Sequence, residues 1–377
     1  MKGHTLFTKP GYNTAMKTYA YDHDPISFDF LQSVERFFVE ELPLFEPSGK
    51  GDFLFLDIKK YDLSTWRLLN IFKEATGADD REIGYAGLKD KNATAIQRIS
   101  LPKKYEKMLK NITTERIEIL HKDYNRLPLK IGQLKGNRFK IILKKITAKE
   151  AERFAKIGNM MQEKGIPNYF GYQRFGEDGK SWQQGKEIAH SGKRLKGAKE
   201  KLLVSAYQSH LFNQWLSQRV NLSKVITENE IDKATETLGY PLPLIKELAK
   251  QPQFFKLFIG ESLMPYPQGK LSYSKDMFHS AKRFERREVS PTGLLCGEKV
   301  SRSHADARHL ELPHDDEELT SLRGDRRFAW IWPEDFSSSY DASSGALTVH
   351  FTLPKGSYAT AFLEEIGKHS LRPEKKR

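Results

Sequence analysis

The chain predicts an α+β fold: strand-like runs crowd residues 53–143, helical periodicity takes over from about residue 190, and a strand followed by a helix closes the sequence. Phe53-Leu54-Phe55-Leu56-Asp57-Ile58 is a short apolar run of strand character, and Ser64-Thr65-Trp66 opens a helical pattern that Gly77 closes. Ala93 to Leu101 and Arg116 to Leu120 read as strands, and Phe139 to Leu143 alternates enough to make a third. Thr147-Ala148-Lys149-Glu150 is a capping box for a helix running toward Met160-Met161, with Gly165 and Pro167 as its stop. Further on, Leu203, Tyr207, Leu211 and Trp215 fall at helical spacing within one long amphipathic segment. Helical texture continues through Phe254-Phe255-Lys256-Leu257-Phe258 and the basic stretch Lys282 to Arg287, with proline and glycine breaks near 265–269 and 291–297. Leu347 to Leu353 returns to strand, Pro354-Lys355-Gly356 turns, and Ser357 begins a last helix. A sheet domain made of residues 1–190 and 330–377, with 191–329 inserted into it, accounts for this order.

The 62 Lys+Arg against 49 Asp+Glu leave a formal charge of +13, spread over many short clusters. Such a balance favours a polyanionic partner, most simply nucleic acid. Lys193, Arg194, Lys196, Lys199 and Lys201 form one cluster, and Arg283, Arg286 and Arg287 another; each is a candidate phosphate contact, although a charge run is commonly a solvated face. Cys296 is the only cysteine, which rules out an intrachain disulfide and cysteine-based zinc sites, and it reads as a small buried side chain. No apolar run approaches a membrane span and the first residues lack a signal-peptide core, so a soluble cytoplasmic protein is expected.

Residues 84–98, Gly-Tyr-Ala-Gly-Leu-Lys-Asp-Lys-Asn-Ala-Thr-Ala-Ile-Gln-Arg, set a single carboxylate, Asp90, between two lysines in a glycine-flanked break. Gly84 and Gly87 permit a sharp backbone path, and Lys89 and Lys91 bias Asp90 toward its ionised form. A nucleophilic carboxylate would be held in this way. Asn168-Tyr169-Phe170-Gly171-Tyr172-Gln173-Arg174-Phe175-Gly176 packs four aromatics, two amides and an arginine into nine residues. Aromatic faces can stack on a flipped base, Asn168 can pair along a pyrimidine edge, and Arg174 can reach phosphate or a carboxylate. A tightly packed aromatic turn is the competing explanation.

Gly-Leu-Lys-Asp at 87–90, Ala-Thr-Ala-Ile-Gln at 93–97, the 168–176 motif and Leu-Pro-Lys-Gly-Ser-Tyr-Ala-Thr at 353–360 occur in that order, with Phe-Phe-Val-Glu-Glu at 37–41, Leu-Lys-Gly-Asn at 134–137, Ser-Ala-Tyr-Gln-Ser-His-Leu-Phe-Asn at 205–213 and Pro-Thr-Gly-Leu-Leu at 291–295 beside them. As a set they resemble the TruD family of tRNA pseudouridine synthases over nearly the whole chain. The resemblance implies a pseudouridine-synthase-like sheet core with a large, mostly helical α/β insertion domain of the TRUD type. It further implies isomerisation of a uridine in tRNA, typically position 13, without metal or organic cofactor. Asp90 matches the family's catalytic aspartate. Phe37, Asn168 and Tyr358 match positions that hold the target nucleotide, and Phe170 belongs to the same aromatic motif. Relatives often carry Phe where this chain has Tyr358, a change that keeps the ring and adds a hydroxyl.

Relatives also commonly carry a lysine upstream of Phe37 where this chain reads Leu31-Gln32. The cationic partner of Asp90 is therefore open among Lys89, Arg98 and Arg174. Lys89 adjoins Asp90 and in an extended segment would point to the opposite face, so a contact to RNA phosphate or a solvated charge suits it equally well. Whether Asp90 attacks C1′, attacks C6 or removes the ribose 2′ proton is likewise open. The partners implied are tRNA and other structured RNA, with no membrane and no obligate protein partner. A non-catalytic RNA-binding protein or tRNA chaperone on the same scaffold is the alternative reading. A metal-dependent nuclease is a distant third: His304, His309, His314, Asp306, Asp315 and Asp316 match no helical zinc spacing and read as a solvated loop.

Overall fold

A computed structural model describes residues 17–176, 178–192 and 194–372, so Lys193 lies outside the described residues. The first half runs β1 (Phe37–Pro43), β2 (Phe53–Tyr61), α1 (Thr65–Thr76), β3 (Gly84–Tyr85), β4 (Thr94–Pro102), β5 (Ile117–Asn125), β6 (Leu134–Leu143), α2 (Ala148–Lys164) and β7 (Ile166–Pro167). Next come α3 (Ser181–Ala189), α4 (Ala198–Glu228), α5 (Ile231–Leu238), α6 (Leu242–Ala249), β8 (Ser262–Pro265), β9 (Ser272–Tyr273) and α7 (Met277–Glu285). The rest is β10 (Val289–Leu295), α8 (Ala305–Glu311), β11 (Asp325–Phe328), β12 (Trp330–Ile331), β13 (Glu334–Asp341), β14 (Ala346–Pro354) and α9 (Ala359–Gly367). This is an α+β chain, as the patterning predicts.

Two compact units emerge. One, the sheet unit, holds Ile26–Glu163 and Pro333–Gly356; the other, the helical unit, holds the described residues 17–25, Lys164–Trp332 and 357–372. The packing thus divides the chain at 25/26, 163/164, 332/333 and 356/357, where the sequence pattern suggested 190/191 and 329/330. The reason is local: Asn168 N donates to Ala329 O (2.8 Å) and Phe170 N to Asn213 Oδ1 (2.9 Å), which ties the aromatic motif to the helical unit.

In the sheet unit, strands lie in the order β13-β14-β6-β1-β4-β2-β5, with β3 paired to β4. Only β1 and β4 among these neighbours run parallel, with Phe38 opposite Thr94. The short-range signals form as their chemistry demands. Ser64 accepts from Arg67 N (3.2 Å) to start α1, Gly77 ends it at φ 74°, and Thr147 and Glu150 cap each other reciprocally at 3.0 and 3.3 Å. β2 runs three residues beyond the apolar stretch, and alternation puts Leu54, Leu56, Ile58 and Lys60 on one fully buried face. Leu68 and Phe72 of α1 close over this face with Ile99 and Leu101 of β4.

The helical unit is organised by α4, whose Phe212, Trp215, Leu216 and Val220 enter a core with Phe170, Phe255, Phe284, Trp330 and Trp332. Three expectations need correcting here. Residues 254–258 are not helical: the Gln251 side chain donates to Leu257 O and accepts from Leu257 N at 2.7 and 2.8 Å, replacing helical bonding. Pro291 and Gly293, read as a break, sit inside β10, because an added Cβ at Gly293 would meet the Trp215 ring at 2.3 Å and only glycine lets α4 pack so closely. The 304–316 segment is no solvated loop either. It forms α8 and a 3₁₀ turn, with Asp315 bonded to Arg302 and Arg308 at 2.6 Å each and Glu311 to Arg326 at 2.5 Å. Cys296 is buried as expected, and no described helix is long and apolar enough to cross a membrane.

Candidate active site

Asp90 lies in the loop between β3 and β4, half-buried, and the loop is fixed from four directions. Lys60 of β2 donates to the Asp90 backbone oxygen at 3.0 Å and also to Leu63 O. Thr65, at the start of α1, accepts from Lys89 N (2.9 Å) and donates to Gln97 Oε1 of β4 (3.0 Å). Glu41 of β1 takes the Lys89 ammonium at 2.5 Å, both side chains being buried. Gly84 and Gly87 do not have positive φ, so their role is space and not a left-handed turn. A Cβ at Gly84 would lie 2.2 Å from Leu129 O, and one at Gly87 would lie 3.3 Å from Lys89 Nζ.

This arrangement sorts the three cations considered for Asp90. Lys89 is neither solvated nor placed to contact phosphate, because it is locked to Glu41 in the interior. Arg98 is likewise committed: it grips Asp57 through Nε (2.7 Å) and Nη2 (3.0 Å), the residue opposite it in the β2/β4 register. Arg174 belongs to the other unit. Lys60, which the sequence reading passed over, is the one that touches the Asp90 residue directly. The overlooked signal is a lysine at the fourth position of an alternating apolar face. Burial pushes the Asp90 carboxyl above the usual carboxylate range, while the Lys60 and Lys89 charges pull it back. Burial pushes the Lys60 ammonium down to about 8 against the attraction of Asp90.

Phe37 is buried in the sheet unit, its ring 6.1 Å from Phe30 and 6.0 Å from Phe139. The other nucleotide-holding candidates come together in the helical unit. The Phe170 ring stands edge-on to Phe212 (5.5 Å) and 5.9 Å from Tyr358, and Asn213 clamps the Phe170 backbone at both N and O. Asn168 is buried, its Nδ2 donating to Phe328 O (3.0 Å) and its Oδ1 accepting from Arg327 Nη2 (2.9 Å). The Arg327 guanidinium lies 3.9 Å from the Phe170 ring centroid. Arg327 and Asn213 are the residues sequence reasoning missed here; Asn213 stood in a quoted motif without a role, and Arg327 had no local signal. Arg174 donates to Ser209 (3.0 Å) and Ser205 (2.7 Å), and with Gln173, Ser181 and Tyr358 it lines a cavity of about 220 Å³. Among the described residues no group of three or more His, Cys, Asp or Glu could hold a metal ion.

The solved structure of a Methanosarcina mazei protein assigned as tRNA pseudouridine synthase D (TruD) superposes with a TM-score of 0.66 at 18% identity, covering 95% of this chain and 97% of that one. The family model described as tRNA pseudouridine synthase D (TruD) matches residues 13–194 and 261–366. Among curated relatives, a tRNA pseudouridine synthase D of a Nitratiruptor species is 46% identical, with 94% of this chain and 98% of the relative aligned. Those of Wolinella succinogenes and Sulfurimonas denitrificans are 41% and 39% identical, each with 94% of this chain and 99% of the relative aligned. The chain belongs to the TruD family of tRNA pseudouridine synthases and is an enzyme, an isomerase.

Proposed function

We propose that the enzyme converts the uridine at position 13 of its tRNA substrates to pseudouridine, with Asp90 as the catalytic carboxylate and no cofactor. The observation that carries this reading is the cage around Asp90, in which Lys60 donates to the Asp90 backbone oxygen and the Lys60 and Lys89 charges act on its half-buried carboxyl group. An ionised carboxylate can act on the ribosyl carbon or its neighbouring proton, whereas a neutral acid does neither as well. The C1′–N1 bond breaks, the uracil turns, C1′ joins C5, and the C5 proton leaves as N1 gains one. The change balances within one nucleoside. Asn168, Phe170 and Tyr358 retain the detached base in this reading, and residues 191–329 act as an inserted RNA-holding segment.

The test is to incubate purified protein with unmodified tRNA and a panel of other structured RNAs, then map pseudouridine by carbodiimide labelling and primer extension. A single stop reporting position 13 is expected. Product at another uridine would refute the position, and no product on any RNA would refute the reading.

Arg174 is assigned to RNA phosphate. Its hydroxyl partners carry no charge, so the guanidinium remains electrostatically available to a phosphodiester at the cavity it lines. In Arg174→Ala, KM for tRNA should rise about tenfold, and the slope of log(kcat/KM) against log salt should become shallower by about 0.7–0.9, the loss of one phosphate contact. An unchanged slope would mean that Arg174 only braces α4.

A further inference from the structure

The charges around Asp90 point to one residue. They come from Lys60 on β2, Lys89 on the Asp90 loop itself and Glu41 on β1; Lys91, next to Asp90 in sequence, is exposed and is not among the charges acting on it, and the side chains that β4 and α1 bring to this network, Gln97 and Thr65, are neutral. Lys89 and Glu41 meet at 2.5 Å and cancel each other to first order. Lys60 has no carboxylate of its own: its two hydrogen bonds go to the backbone oxygens of Leu63 and Asp90, and its third N–H has no acceptor among the described residues. A wholly buried ammonium held by two carbonyls still needs a counter-charge, and Asp90 is the charge that favours its protonated form.

We propose that Lys60 is the cationic partner of Asp90: its protonated side chain keeps the carboxylate ionised and in place, and loss of that proton on the alkaline side switches the reaction off. Lys60 is a positioning residue, acting through Asp90, and the proposal rests on the reading of Asp90 as the catalytic carboxylate. The active form is the pair Asp90⁻/Lys60⁺. As pH rises, the rate climbs while Asp90 loses its proton and falls on the alkaline side, where Lys60, its ammonium pushed down by burial, loses its own. The two limbs belong to the coupled pair and not to either residue alone.

Single-turnover rates on tRNA from about pH 5 to about pH 10 test this without any variant, by the presence of the alkaline limb. Lys60→Met should lower the neutral-pH rate about a hundredfold, raise the acid limb by about one to three pH units and erase the alkaline limb. Lys60→Arg, which stays charged, should leave the acid limb in place and carry the plateau into alkaline pH. A wild-type profile that stays flat to about pH 9.5, or a Lys60→Met profile of unchanged shape and merely lower height, overturns the proposal. If either variant fails to fold, the wild-type profile decides. Asp90→Asn separates the two claims: an inactive Asp90→Asn with unaltered Lys60 profiles refutes Lys60 alone, and an active Asp90→Asn refutes the reading on which it rests.

Discussion

Replacing Asp90 by asparagine should lower the single-turnover rate of pseudouridine formation by about 10⁴-fold or more, the scale lost when a catalytic acid, base or nucleophile is removed. The substitution is nearly isosteric, and the loop should keep its path, because what anchors it is backbone: the position-90 oxygen still receives Lys60, and Lys89 N still donates to Thr65. Binding therefore stays separable from chemistry. Removing one negative charge from a surface meant for RNA should leave tRNA affinity equal or slightly higher, so the loss falls on kcat and not on Kd. Filter binding alongside rapid-quench kinetics measures both. An Asp90→Asn enzyme within tenfold of wild type would remove Asp90 from the mechanism, and one that had lost tRNA binding would show that the loop had collapsed.

What the sequence revealed divides by the range of the interaction. The caps of α1 and α2 were legible because a cap is a contact between residues three apart, and Asp90 stood out because its glycine and lysine neighbours are contiguous. Lys89 was misread because Glu41 lies 48 residues away, on a strand whose pairing with β4 no local pattern announces. Arg98 resembles it: Asp57 is 41 residues distant and becomes a neighbour only once the β2/β4 register exists. Lys60 is within reach of period-two reasoning, but it stands two residues beyond Ile58, where the apolar stretch ends. In the helical unit, Gly293 and Pro291 have the local meaning of breakers, whereas both sit inside β10, where the need for glycine at 293 comes from Trp215 approaching from α4. Arg327 could not be chosen from Arg326 beside it, since only the fold turns one toward Asn168 and the other toward Glu311.

The interior ion pair beneath the loop sets the second large effect. Glu41→Ala should destabilise the sheet unit by about 3–5 kcal/mol, since it strands the Lys89 ammonium in the interior instead of merely deleting a contact. The same carboxylate also accepts from Arg98 N at 3.3 Å, so β4 loses an acceptor at the same time. Deletion of both charges is a different experiment. Glu41→Met combined with Lys89→Met removes two desolvated ions together, and for such pairs the outcome ranges from neutral to a gain of about 1–4 kcal/mol. The single variant should therefore be far less stable than the double, an ordering that a pairwise contact tally would reverse. Amide hydrogen exchange along β4 reads this locally, without assuming that both units unfold together. Should Glu41→Ala and the double variant lie within about 1 kcal/mol of each other, the Lys89 ammonium has found water, and the interior it occupies is wetter than its burial indicates. The ordering also bears on Asp90. Glu41→Ala leaves the Lys89 charge unmatched beside the Asp90 loop, which must lower the Asp90 pKa and shift the acid limb of the rate profile downward, in the direction opposite to that expected for Lys60→Met.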